Sequence, residues 1–172
     1  MAGTPRMMIF IPFDPQAARS ARAAGRSDDQ QVGYAATARL IEAHDYRRDE
    51  REDADYAAQL YASVAGLIDA PDSCDRRLVV AADVPLARVS DHDHDLDYGA
   101  VRVDGLDWSD VTAVFVDEDA AGPAVTGARK EIADSIRESG GEGGMGGLLE
   151  LPAVAALTDN HELLWHTPDE AW

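Results

Sequence analysis

Two nearly uninterrupted apolar runs, residues 78–82 (LVVAA) and 111–116 (VTAVFV), constrain this chain more than any other feature. Each is too short for a buried helix and rich in valine, so each reads as a strand covered on both faces. A chain with such strands must also supply the helices that cover them. Ala57, Leu60, Tyr61, Val64, Leu67 and Ile68 recur at helical spacing and form one apolar face, and Pro71 stands just beyond as a stop. A second covering helix is predicted from Gly122-Pro123, with Val125, Ala128, Ile132 and Ile136 towards the core.

The remaining elements follow from local signals. Residues 8–13 (MIFIPF) read as a first strand that Pro12 confines to an edge or to its end. Asp14-Pro15 then opens a helix that runs to Gly25 and places Arg19, Arg22 and Arg26 on one face. Residues 34–46 read as helical, with a short strand as the alternative for the first of them, residues 98–103 as a strand, and residues 161–166 (HELLWH) as a strand or a short helix. The intermixing predicts an α/β or α+β fold: a single layered domain over residues 1–172, with a mixed sheet of about four to six strands covered by helices. Residues 1–6 are expected to be a loose tail and residues 140–147 (GGEGGMGG) a flexible linker.

Composition narrows the function classes. The chain has 15 basic against 33 acidic residues, a net charge of −18. A broad nucleic-acid or anionic-membrane interface needs cations, so neither partner is expected, and a basic protein partner is. The acidity is uneven: the first 26 residues carry four arginines and one aspartate. The lone Cys74 excludes an intrachain disulfide and a cysteine-only metal site. No run approaches the ~20 apolar residues of a membrane span, and no leader is evident, so a cytoplasmic location is expected.

Several blocks carry a resemblance. They are Ile9-Phe10-Ile11-Pro12, Tyr56-Ala57-Ala58, the nine residues 77–85 (RLVVAADVP), Val114-Phe115-Val116-Asp117 and His161-Glu162-Leu163-Leu164-Trp165. In this order the chain resembles an uncharacterised family of short acidic actinobacterial proteins, a domain of unknown function. The resemblance implies an ancestry and a compartment and supplies no activity. The glycine stretch and residues 91–97 depart from it.

The sharpest local chemistry is in those residues 91–97 (DHDHDLD). His92 and His94 at i and i+2 share a face of an extended segment, and imidazole with carboxylate suits a divalent metal. The alternative is a solvated acidic loop. Asp14, Asp83 and Asp117 follow strands, where converging carboxylates can hold Mg²⁺ or simply cap turns. His161 and Glu162 are expected to flank a C-terminal segment docked by Leu163, Leu164 and Trp165, and the arginine stripe to pair with carboxylates or bind an anion. No Walker loop, Rossmann fingerprint or nucleophile elbow is present. The leading expectation is therefore a non-catalytic interaction or accessory module acting through an acidic surface, with no cofactor. The rivals are a metal-dependent hydrolase using His92, His94 and nearby carboxylates, and an acidic mimic of nucleic acid.

Overall fold

The structure is a computed structural model that describes residues 3–141, 143–170 and 172. Among them are seven strands in one sheet and six α-helices. The strands are β1 (Arg6–Pro12), β2 (Arg26–Tyr34), β3 (Leu78–Pro85), β4 (Val89–Asp91), β5 (Ala100–Asp107), β6 (Val111–Val116) and β7 (Leu164–His166). Their order across the sheet is β4-β5-β2-β1-β3-β6-β7. The helices are α1 (Pro15–Ala24), α2 (Ala38–Ala43), α3 (Arg51–Ala65), α4 (Gly122–Ser139), α5 (Gly144–Leu149) and α6 (Pro152–Asn160).

The layered α/β organisation matches the expectation, but the sheet is larger than expected and is not mixed. Each of its six pairings is antiparallel. The apolar runs arise because the central strands are buried on both faces. Along β3, Leu78, Val80, Ala82 and Val84 enter one core cluster, while Val79 and Ala81 enter the other. The first cluster holds Ile9, Ile11 and the α1 residues Ala18 and Ala21; the second holds the inward faces of α3 to α6.

Local chemistry sets the helix ends. The Asp14 carboxylate caps α1 by accepting from the main-chain N–H groups of Gln16 (3.0 Å) and Ala17 (3.3 Å). Gly25, with φ +80°, closes the same helix. The predicted face of α4 is buried at Val125, Ala128 and Ile132.

Three segments differ from expectation. Residues 26–31 form most of β2 although they are polar; backbone pairing to β5 holds them, with a register shift between Ser27 and Gln30. Near its end β2 approaches β1 closely, where a Cβ on Gly33 would lie 2.5 Å from Ile9 Cγ2. The stretch 140–147 is not a free linker along its length, because α5 buries Met145 and Leu148; Glu142 lies outside the described residues. Of the expected tail, Arg6 already belongs to β1, and Met1 and Ala2 lie outside the described residues. No helix of the described residues is long and apolar enough to cross a membrane.

Candidate functional site

The run 91–97 leaves β4 and turns back towards β5. His94 donates its main-chain N–H to His92 Nδ1 (3.1 Å), so that ring nitrogen is engaged within the loop. The two ring centroids are 5.9 Å apart. Both imidazoles line a cavity of about 760 Å³ together with Tyr34, Ile68, Ile136 and Leu148. Burial and the nearby Asp95 carboxylate push the Tyr34 phenol up to about 12.

The carboxylates of this run face other partners. Asp93 pairs with Arg102, whose hydrogen bond and charge hold the Asp93 carboxyl below its ordinary range. Asp95, at φ +57°, accepts from the Met145 main-chain N–H of α5 (3.0 Å). Asp97 accepts from Arg39 Nε (2.9 Å). Gly144 gives Asp95 its room: a Cβ there would lie 2.5 Å from Asp95 Oδ1. The loop is thus tied to α2, β5 and α5 through three carboxylates. Among the described residues no group of three or more His, Cys, Asp or Glu side chains converges as a metal would require.

The strand-end aspartates do not meet. Asp83 pairs with Arg6 (3.3 Å), at the end of β3 opposite Leu78. Asp14 caps α1, and Asp117 is buried against Arg77. β1 and β6 both run antiparallel to β3, so Asp14 and Asp117 follow strands at the Leu78 end of the sheet and Asp83 lies at the other, but the cap and the buried ion pair occupy the first two carboxylates separately.

Arg77 and Asp117 form the most buried polar centre, 4% and 3% exposed. Asp117 Oδ2 accepts from the Arg77 main-chain N–H and from Nε, both at 2.8 Å, and Oδ1 accepts from Nη2 at 2.7 Å. Arg77 Nη2 also donates to the His161 carbonyl (2.8 Å), and Nη1 to Ser63 Oγ (3.4 Å). With its carboxylate in place the guanidinium is not free to hold an anionic ligand. Its role is positional. It joins α3, the start of β3 and the end of β6 to the chain leaving α6.

That chain leads directly into β7, the outer strand of the sheet. Phe115 stands opposite Trp165, so both side chains lie on the face covered by α3 and α6. A cleft of about 190 Å³ opens beside them, lined by Tyr56, Leu60, Arg77, Phe115, His161 and Leu163. Leu163 packs against the core as expected. Leu164 and Trp165 do not: they are 48% and 59% exposed. Tyr56, at the cleft, is 53% exposed. His161 Nδ1 lies 3.4 Å from Glu118 and His166 Nδ1 3.9 Å from Glu170.

Residues 7–171 match the model of a family described as a family of unknown function, DUF6912. The chain belongs to that family. No curated protein and no solved structure matches it. In this DUF6912 chain, four of the blocks that carry the resemblance meet at one place: Tyr56, Arg77, Phe115 with Asp117, and residues 161–163 all border the Arg77 centre or its cleft. Sequence reasoning missed Arg77 and Tyr56 as site residues. An arginine just before a fully apolar strand was the available signal, since a cation there needs a buried counter-charge.

Proposed function

We propose that this protein is an interaction module that docks an extended, basic segment of another protein along β7. The observation that carries the reading is the exposure of Leu164 and Trp165 on an outer strand. Outer strands present unpaired backbone N–H and C=O groups to solvent, and proteins ordinarily blunt them with charge or proline. The opposite edge, β4, is blunted in this way by Ser90 and Asp91, both exposed. β7 carries Leu-Trp-His instead. An added strand would gain main-chain hydrogen bonds from β7 and set its alternate side chains against Trp165.

The charge of the partner follows from the surroundings. Residues 159–170 contain Asp159, Glu162, Asp169 and Glu170 and no lysine or arginine. A cationic segment is therefore favoured and an acidic one repelled. The test is calorimetric titration with a synthetic peptide of alternating lysine and valine, against one of alternating glutamate and valine. The lysine peptide is expected to bind at low salt, and Trp165→Ala to weaken it by about 2 kcal/mol or more, as for a central aromatic anchor. Equal binding by Trp165→Ala, or no preference between the peptides, would remove the basis for the reading.

One observation favours a second reading, the metal-dependent hydrolase: His92 and His94 do face one cavity. It predicts that Zn²⁺ raises the Tm of the protein and that the His92→Ala/His94→Ala double variant loses the shift. An unchanged Tm in wild type would end it.

A further inference from the structure

The arginine stripe of α1 has an occupant that neither the edge strand nor the imidazole cavity explains. Arg22 lies over the indole of Trp172, with Cζ 4.1 Å from the ring centroid. Trp172 also stacks on Trp108, with centroids 6.0 Å apart and planes 15° from parallel. Arg22 Nη1 donates to the Glu170 carbonyl (2.8 Å), and Arg19 Nη2 donates to the Trp172 carbonyl oxygen (2.8 Å). Arg26, expected as the third member of the stripe, instead begins β2 beyond the Gly25 cap and pairs with Asp28.

Four features point to a recognition site. The indole meets both a guanidinium and a second indole, so cation–π and stacking attractions act on one ring. Both arginines read main-chain oxygens, so the site asks for a backbone path and one aromatic ring. The segment also arrives preformed: the Glu170 N–H donates to the Thr167 carbonyl (3.2 Å), and the Glu170 carboxylate accepts from the Thr167 N–H. Finally, the indole N–H groups of Trp108 and Trp172 are buried without a hydrogen-bond partner. This contact therefore falls short of full satisfaction and can be exchanged at lower cost than a core contact.

We infer that Arg19, Arg22 and Trp108 form a peptide-recognition site for a short acidic segment bearing a tryptophan, filled in cis by Glu170 and Trp172 and open to the same segment of a second copy when the cis segment leaves. The acidic residues of that segment suit the net positive charge of the first 26 residues.

The full chain carrying Trp172→Ala is titrated with the peptide Thr-Pro-Asp-Glu-Ala-Trp, which reproduces residues 167–172. Saturable one-to-one binding is expected. Wild type should bind at least about tenfold more weakly, because its own tryptophan competes. Adding Arg22→Ala to the Trp172→Ala chain should abolish binding. Should Trp172→Ala fail to fold, Trp172→Leu keeps an apolar cap and is titrated in the same way. Absence of binding to the folded variant overturns the inference, as does equal binding to variant and wild type.

Discussion

Asp117 shows how much one carboxylate can carry. It accepts three hydrogen bonds from a single buried arginine, and its loss leaves that guanidinium without a counter-charge. Asp117→Asn is expected to cost about 3–5 kcal/mol in urea unfolding, and the double variant Arg77→Met/Asp117→Leu to recover most of it. A single-variant cost under about 1 kcal/mol would mean that the pair does not hold the C-terminal segment. Tyr34 gives a pH signature. Its folded-state pKa, about 12, lies above the ordinary 10.0, so the folded chain keeps the phenolic proton where the unfolded chain has lost it. Stability from this group is complete below pH 10 and is lost as the pH rises towards 12, by about 2–3 kcal/mol in all. Tyr61 is raised by burial and acts with the same sign. Tyr34→Phe should flatten that part of the profile in alkaline unfolding followed by circular dichroism.

At the scale of elements, glycines separate helix propensity from packing. Gly127 lies on the exposed side of α4, and a Cβ there meets nothing within 4 Å. Gly127→Ala should stabilise by about 0.5–1 kcal/mol. Gly144→Ala should destabilise by about 1–3 kcal/mol, since its φ is +54° and Asp95 fills the space. Thermal unfolding of both variants checks the opposite signs. The same contrast explains what could be read in advance. β3, β6, α3 and α4 were legible because their apolar residues repeat at the period of the element. β2 was not, because backbone pairing to β5 holds its polar first six residues, and pairing leaves no trace in composition. α5 was hidden by glycine, whose usual meaning is a flexible linker; only Met145 and Leu148 report its buried side. In the candidate site, the rings of His92 and His94 lie 5.9 Å apart, on a bend rather than on the extended segment that their spacing suggested. The engagement of Asp93, Asp95 and Asp97 by Arg102, the Met145 amide and Arg39 depends on tertiary neighbours that spacing does not disclose.

For the whole molecule, charge decides the response to salt. Among the described residues, eleven of the 14 arginines are paired with carboxylates, yet the net charge remains −18. Most of those pairs are exposed and worth little individually, so repulsion among the unpaired carboxylates dominates. Raising NaCl from about 0.01 M to about 1 M shortens the screening length from about 30 Å to about 3 Å. The Tm should therefore rise, by about 2–4 °C for each 1 kcal/mol of repulsion relieved. A falling Tm would show that the ion pairs outweigh the repulsion. The same acidity selects the partner proposed for β7, and hydrogen exchange across the sheet tests that claim most directly. With the alternating lysine–valine peptide at saturation, the backbone amides of Leu164–His166 should exchange about tenfold more slowly, while those of Val89–Asp91 at the opposite edge stay unchanged. Protection at β4 instead, or at neither edge, would contradict the account.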